Sequence, residues 1–491
     1  MVAMEGCTLS FDVTKWCNYE TIGIPMATIS LFKDKRITVF GLGLNDGGVG
    51  TVLFLAKHGA REIIVTDMKS REELAPSLQK LASCKNIVYV LGQHRPEDFT
   101  HVDMVVKNPG IPWTNEYVKM ALAHRVPVEI DSSLFFQLCP APIIGVTGSK
   151  GKTTTAALIA HMLEHAGRSV VRVGISQVGV LGVLSRVTKD SIVVFELSSW
   201  RLSALGRLKK SPHIAVLTNI YPDHLNYYKT MAAYMADKKY IFAFQKNKDV
   251  VVANFDNALV QEMVQDAPGS VLFASTLQAL DGDGAWRDGE TLLLSNQGKE
   301  QVLLPVENIP LVGDHNRMNI LLAALATLAA GLSLKDVRAG IASFPGIPNR
   351  LEKVAEKNGV TYYNDTAATI PDAAVAALRS FTQPTILLAG GSDKNLEFSG
   401  LAKEIVKHPK RTIFFQGAGT DKLLSAIRAL SPESEHLQFE VVDSMSEAVR
   451  RAAVYAAPGD IVLLSPGAAS FGLFQNEFDR GEQFRKAVEL L

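Results

Sequence analysis

The run Ile143-Ile144-Gly145-Val146, then Gly148-Ser149-Lys150-Gly151-Lys152-Thr153-Thr154-Thr155, then Ala156 to His165, constrains this chain more than any other feature. An apolar strand, a turn rich in glycine and lysine, and a helix-forming stretch, in that order, are what a phosphate-binding loop requires. Glycine lets backbone N–H groups approach phosphate oxygens, and the helix start adds a field that favours anions. On this reading Gly148, Ser149, Lys150, Gly151 and Thr154 line the loop. Lys152 reaches the terminal phosphates, and Thr153 offers a hydroxyl to magnesium. One position departs from the general spacing: Val146 stands where a glycine is usual.

A chain of 491 residues is too long for one ordinary core; at roughly 150 residues per domain it divides into about three. Apolar residues make up 47% and charged residues 20%, which excludes a disordered or collagen-like chain. Fifty basic residues balance fifty acidic ones. Zero net charge argues against a nucleic-acid coat or a polybasic membrane binder. Cys7, Cys17, Cys84 and Cys139 are scattered, without a C-x-x-C pair. They read as thiols in a reducing compartment rather than zinc ligands or a disulfide framework. The longest apolar stretch, Ile320 to Leu332, is too short to span a bilayer. Met1 to Ser30 carries Glu5, Asp12 and Glu20 and has no basic start, so it does not read as a secretory signal. A cytoplasmic protein is expected.

Three segments follow the 1–35 extension. The first, 36–140, opens with the strand Ile37–Phe40, the turn Gly41-Leu42-Gly43-Leu44-Asn45-Asp46-Gly47-Gly48 and helical content from Val49 to Lys57. A second strand, Glu62–Thr66, ends at Asp67. Strand, glycine turn, helix, strand and acid make a βαβ unit of nucleotide-binding type. Gly41-Leu42-Gly43 fits any tight turn equally well, and Asp67 fits either a ribose contact or a helix cap. Further strands are Ile87–Leu91 and Asp103–Lys107, then a loop at Asn108-Pro109-Gly110-Ile111-Pro112. Cys139-Pro140-Ala141-Pro142 marks a connector into the second segment, 141–344. Its strands are Ile143–Val146, Ser191–Phe195, Ile214–Thr218 and Asp249–Ala253. Phe344-Pro345-Gly346-Ile347-Pro348 leads into the third segment, 345–491. There Thr361–Tyr363, Pro384–Leu388, Thr412–Phe415 and Ile461–Leu464 are strands. Repeated alternation predicts an α/β protein with parallel sheets covered by helices on both faces.

Acidic and basic candidates sit at the strand ends of the middle segment. Glu196 follows an apolar strand, where a carboxylate can bind magnesium directly or through water. Asp223-His224 follows Asn219-Ile220-Tyr221-Pro222 and offers an oxygen and an imidazole to a second metal. Lys238, taken alone, reads as a helix-surface lysine.

Taken as a set these motifs resemble the Mur ligases, ATP-dependent amide ligases of peptidoglycan precursor synthesis. Gly148–Thr155, Glu196-Leu197-Ser198-Ser199, Asn219 with Asp223-His224, and Tyr234 with Lys238 occur in the family's order. The likeness continues through Asn254-Phe255-Asp256, Gly313-Asp314-His315-Asn316-Arg317-Met318-Asn319, Pro348-Asn349-Arg350 and Asn364-Asp365-Thr366. It runs from about residue 36 to the C-terminus. Gly41-Leu42-Gly43, Asn108–Ile111 and Leu464–Phe471 with Phe474 and Arg480-Gly481 are most similar to members that add glutamate to UDP-N-acetylmuramoyl-L-alanine. Folate-polyglutamate ligases share the middle and the C-terminal plan but lack such an N-terminal segment. A non-catalytic relative is a further alternative, against which the retained Lys152, Glu196, His224 and Lys238 argue.

The resemblance implies a Rossmann-like UDP-binding domain, a central ATP-binding domain and a Rossmann-like domain for the incoming amino acid. It implies a cytoplasmic monomer acting on small molecules, with ATP and two magnesium ions and with no nucleic-acid or membrane partner. Lys152, Glu196, His224 and Lys238 would be catalytic. Thr153, Glu196, His224 and a carbamylated Lys238 would serve the metals. Asn316, Asn319, Arg350 and Asp365 would complete the ATP site. Leu44, Asn45, Asp67, Asn108 and Gly110 would hold the UDP group, and Thr369, Lys394, Ser470 and Phe471 the amino acid. Three places depart from the family pattern: Ala367 replaces a usual lysine, Gly174–Gly179 lacks a usual glycine motif, and Glu477 replaces an aromatic. D-glutamate is the substrate the resemblance implies, and these departures keep L-glutamate as the alternative.

Overall fold

The computed structural model describes residues 31–44, 46–174, 179–430 and 439–491. Asn45, Cys7, Cys17, most of the 1–35 extension and most of the departure at Gly174–Gly179 lie outside those residues. The strands are built from near-continuous apolar runs, as strands buried on both faces must be. Ile143–Thr147 and Ile214–Leu217 are buried at every position. Each fully buried Val, Ile or Leu contributes about 1.5–3 kcal/mol of transfer free energy, so these runs dictate where the sheets lie.

The first sheet contains β1 (Arg36–Phe40), β2 (Glu62–Asp67), β3 (Ile87–Leu91), β4 (Met104–Lys107) and β5 (Val128–Glu129). Its order is β3-β2-β1-β4-β5, all parallel. The chain leaves β1 in one direction and returns to its other side at β4, so the C-terminal ends of β1 and β4 flank a topological switch point.

The second sheet contains β6 (Ile143–Thr147), β7 (Val170–Val173), β8 (Ile192–Glu196), β9 (Ile214–Leu217), β10 (Val250–Asn254), β11 (Ser270–Ser275), β12 (Gly284–Asp288), β13 (Thr291–Asn296) and β14 (Lys299–Pro305). Its order is β14-β13-β12-β11-β10-β9-β6-β8-β7. The third contains β15 (Glu352–Lys357), β16 (Val360–Asn364), β17 (Thr385–Gly390), β18 (Arg411–Phe415), β19 (Glu440–Val442) and β20 (Ile461–Leu464), in the order β15-β16-β20-β17-β18-β19.

The α/β expectation holds, but these two sheets are not wholly parallel. β12, β13 and β14 form an antiparallel meander, and β15 pairs antiparallel with β16. Two-residue turns cause this. Asn358-Gly359, with φ of 53° and 75°, joins β15 to β16, and Gln297-Gly298, at 55° and 70°, joins β13 to β14. Positive φ at both central residues is what a tight hairpin needs, because its twist matches that of the strands.

The chain forms two compact units. One runs to Asn308 and includes Met318–Ala342, so it holds the first two sheets; the other comprises Ile309–Arg317 and Ser343–Leu491. In the first unit a shared core joins Val39, Val52 and Phe135 to Val183, Phe195 and Leu202. No helix among the described residues is long and apolar enough to cross a membrane. Cys84 and Cys139 are free thiols.

Candidate active site

β6 delivers the phosphate-type loop. Its partners set what surrounds it: Val146 pairs with Glu196 on β8, and Thr147 pairs with Leu217 on β9. Glu196 is thus the last residue of its strand rather than the first of a loop, one register position from the turn. The loop is tied down from β9. Thr218 Oγ donates to the Lys150 carbonyl at 2.5 Å, Lys150 N–H to Asn219 Oδ1 at 2.8 Å, and Ser149 N–H to the Asn219 carbonyl at 2.8 Å. Ser149 Oγ donates to the Tyr221 carbonyl at 3.0 Å and lies 3.0 Å from the Tyr234 hydroxyl. Burial pushes the Tyr234 hydroxyl up to about 12, so it stays protonated.

Two glycines have steric reasons to be there. Gly148 has φ of 150°, and a Cβ on it would fall 1.9 Å from Thr218 Oγ. Gly151, at φ 84°, precedes the helix Lys152–His165, and its Cβ would sit 2.5 Å from Asn319 Oδ1. Asn319 in turn accepts from Thr155 Oγ at 3.2 Å. It therefore packs on the loop from the helix Asp314–Ala329. Thr153 and Thr154 open the Lys152–His165 helix, where its dipole favours anions.

Two lysines converge on one acceptor. Lys152 Nζ donates to the Gly148 carbonyl at 3.0 Å and to the Ser149 carbonyl at 3.0 Å. Lys238 Nζ donates to the same Gly148 carbonyl at 2.8 Å and to Thr147 Oγ at 3.3 Å. The surface reading of Lys238 is wrong: it is 1% exposed. The helix Met231–Lys239 turns Tyr234 and Lys238, four residues apart, onto one inward face. Burial first, and then the nearby Lys152 charge, push the Lys238 ammonium well below its ordinary range; Asp223 opposes this. The shift is toward the neutral amine, which is the nucleophilic form.

His224 adopts a left-handed backbone at φ 53°, with its ring 4.7 Å from that of Trp200. Burial, and the charges of Lys152, Lys238 and Lys150, hold its imidazole below the usual histidine range, against the pull of Asp223. A neutral imidazole keeps a lone pair free for a metal. No cluster of three or more His, Cys, Asp or Glu able to hold a metal occurs among the described residues. Magnesium takes one or two protein oxygen ligands and completes its shell with water and phosphate. Thr153 and Glu196 supply donors of that kind.

In the first sheet, Asp67 accepts from Gly43 N–H at 3.0 Å and Lys69 N–H at 3.0 Å, so it shapes the β1 turn. Leu44 is exposed beyond that turn. Asn108 Oδ1 accepts from Gly110 N–H at 3.0 Å and closes the turn after β4.

Asn316, Arg350, Asp365, Thr369, Lys394, Ser470 and Phe471 belong to the second unit. There the C-terminal ends of β16, β20 and β17 lie side by side. They present Asp365, the Ser465–Phe471 segment and the Gly391–Lys394 turn. Ser392 N–H donates to the Ala469 carbonyl at 2.9 Å, and Lys394 Nζ lies 5.4 Å from the centroid of the Phe471 ring. Ser470 is buried, Thr369 half-buried and Arg350 exposed. Asn316 Nδ2 donates to the Val312 carbonyl at 2.7 Å. Arg480, visible in the sequence only as part of a motif, is wholly buried. It donates to Thr366 Oγ at 2.9 Å, the Thr366 carbonyl at 3.0 Å and the Ala468 carbonyl at 3.3 Å, stitching two of these segments together. Spacing could not reveal that Arg480 turns inward. Nor could it reveal the Ser149–Tyr234 contact, which spans 85 residues.

Asp365 accepts from Ser465 Oγ at 2.8 Å and Leu351 N–H at 3.2 Å. Burial nonetheless raises its carboxyl from 3.8 to about 7, with the two hydrogen bonds and Arg350 acting in the opposite direction. The folded state then holds a proton that the unfolded chain has lost. Stability should therefore fall as pH rises from about 4 to 7 and level off above that. An amide does not ionise: its oxygen still accepts from Leu351 N–H, and its NH2 donates to Ser465 Oγ in place of accepting from it. Asp365→Asn is thus expected to flatten this part of the melting-temperature profile; an unchanged slope in the variant would exclude Asp365 as its source.

The comparisons with known proteins follow the same three segments. The family profiles described as Mur ligase MurD-like N-terminal domain, Mur ligase middle domain, and Mur ligase glutamate ligase domain match residues 35–129, 146–327 and 349–467. A UDP-N-acetylmuramoylalanine--D-glutamate ligase from Roseiflexus sp. (strain RS-1) is 42% identical, covering 93% of this chain and 98% of that protein. One of the same name from Borreliella afzelii (strain PKo) is 36% identical, covering 94% and 98%. Among solved structures, the UDP-N-acetylmuramate-alanine ligase of Thermotoga maritima superposes with a TM-score of 0.56 at 18% identity, covering 93% and 99%. The ADP complex of a MurF ligase from the same organism gives 0.54 at 17%, covering 94% and 97%. These distant structures share the fold, and the near relatives share the sequence along almost its whole length. Three ordered profile matches and identities well above 30% place the chain in the Mur ligase family.

Proposed function

We propose that this protein is an ATP-dependent amide ligase that joins D-glutamate to the alanyl carboxylate of UDP-N-acetylmuramoyl-L-alanine, in the cytoplasmic stage of peptidoglycan precursor synthesis. The observation that carries this reading is the meeting of Lys152 and Lys238 on the Gly148 carbonyl, inside a loop built for phosphate. The labour divides as 36–140 for the UDP group through Leu44, Asn45, Asp67, Asn108 and Gly110, 141–344 for ATP, and 345–491 for the amino acid.

A carboxylate resists attack by an amine because its carbonyl carbon is electron-rich and its leaving group is poor. One alanyl oxygen attacks the γ-phosphorus, the bond to the β–γ bridging oxygen breaks, and ADP leaves. The glutamate nitrogen then attacks the acyl phosphate, and the tetrahedral intermediate expels inorganic phosphate while the nitrogen loses its proton. The protein's part is to position these groups and to stabilise charge. The N–H groups of Gly151 to Thr154, at the start of the Lys152–His165 helix, and the Lys152 ammonium hold the β- and γ-phosphates. Magnesium, when bound, screens the phosphate charge; Thr153, Glu196, His224 and Lys238 are the residues that would hold it. Lys238 would do so as a carbamate, in which the neutral amine has become an anion. Asn316, Asn319, Arg350 and Asp365 serve the nucleotide. Thr369, Lys394, Ser470 and Phe471 receive glutamate, with the Lys394 cation facing a carboxylate.

Phosphate release with UDP-N-acetylmuramoyl-L-alanine and ATP is expected with D-glutamate and not with L-glutamate or without amino acid. Ala367 and Glu477, which replace a usual cation and a usual aromatic, favour L-glutamate as the second reading. Release with the L-isomer alone would establish it, and release with neither would remove both.

A further inference from the structure

Lys107, the last residue of β4, is buried to 2% exposure, yet no carboxylate among the described residues lies within 4 Å of its ammonium. Its Nζ donates to the Ile111 carbonyl at 2.8 Å and sits 4.4 Å from the Trp113 ring centroid. The other cation on that ring is Arg207, 4.0 Å from its centroid, on the helix Ser199–Leu208. Trp113 Nε1 also donates to Ser203 Oγ on the same helix at 2.8 Å. Both partners of the Lys107 ammonium therefore lie in the segment just beyond Asn108-Pro109-Gly110.

Burying a lysine without a paired acid does not favour stability. Burial pushes this ammonium down to about 7, opposed by the fields of Asp131 and Asp237 and reinforced by that of Arg207. Asp131 is itself committed to Arg201, at 2.9 Å. Asp237 lies next to Lys238 in the chain and feels both Lys107 and Arg207. The arrangement thus links three things: the turn after β4, the helix that follows Glu196, and the helix that carries Lys238.

We propose that Lys107 is a positioning residue for the Asn108–Gly110 turn: clamped between the Ile111 carbonyl and the Trp113 ring, it seats that turn against the Ser199–Leu208 helix in the form that receives a nucleoside diphosphate. The inference rests on the proposed role of Asn108 and Gly110 in holding the UDP group. Without the ammonium the Ile111 carbonyl loses its donor and Trp113 loses one of its two cations. The turn then samples other conformations, and the ligand must select the competent one.

The test is steady-state kinetics together with calorimetric binding of UDP-N-acetylmuramoyl-L-alanine to the full chain. Lys107→Met keeps the volume and removes the charge. It is expected to raise the KM and Kd for the UDP substrate about tenfold, with the KM for ATP unchanged and kcat within about twofold. Lys107→Arg, which can still donate to Ile111 and stack on Trp113, is expected to restore most of the loss. Half-buried Trp113→Ala gives the same KM pattern should the methionine variant fail to fold. Wild-type values in both Lys107→Met and Trp113→Ala would overturn the inference, as would equal losses toward ATP. Absence of UDP-substrate binding by the wild type would instead overturn the underlying reading and the inference with it.

Discussion

Lys238→Ala is expected to lower kcat by more than about a hundredfold, and short carboxylic acids such as formate or acetate to restore part of the rate. The argument begins with burial. Lys238 is nearly sealed from solvent, its Nζ is 2.8 Å from the Gly148 carbonyl, and the Lys152 charge is close enough to depress its protonation. A second permanent cation beside Lys152 would add little to phosphate binding and would suffer repulsion. A neutral amine can instead bond to carbon dioxide, losing a proton to give a carbamate. Such an anion would balance Lys152 and offer an oxygen beside the phosphate-type loop. Alanine removes it and leaves a cavity that a small carboxylate can enter. Full activity in the plain variant would remove Lys238 from the mechanism. A loss that no carboxylate repairs would leave the amine itself as the needed group.

Gly148→Ala is expected to raise the KM and Kd for ATP by at least about a hundredfold while the protein remains folded. Its backbone sits at φ 150°, and the new methyl group would overlap Thr218 Oγ, which also holds the Lys150 carbonyl. The loop has to yield on one side or the other. Moving Gly148 displaces the carbonyl to which both lysines donate, so the variant misplaces two cations at once. The strain amounts to about 1–3 kcal/mol, which a protein with such extensive cores can bear. Nucleotide affinity by calorimetry and a melting curve separate the two effects. Near-normal ATP binding would show that the geometry of this loop is not what holds the phosphates.

The sequence was most legible where chemistry depends on neighbours in the chain. Ile143 to His165 carries its strand, turn and helix in one stretch, and each part follows from local propensity and the special freedom of glycine. Hydrophobic runs such as Ile214–Leu217 mark buried strands wherever they pair. Strand–helix alternation passes over the tight turns at Asn358-Gly359 and Gln297-Gly298, and with them the antiparallel strands they create.

What the sequence by itself determined is therefore the α/β class, the phosphate-type loop and the residue types at the strand ends. Only the tertiary structure decided which way those side chains face and what they meet. Lys238 looks like any helix lysine until β6, β8 and β9 pair and bring the Gly148 carbonyl within 2.8 Å. Lys107 and Arg480 look like ordinary surface cations, yet both are buried on backbone carbonyls far from bulk water. The physical reason is the same in each case. Backbone propensity is set by residues a few positions apart, whereas the protonation and reach of a charged group depend on burial and on charges brought in from distant parts of the chain.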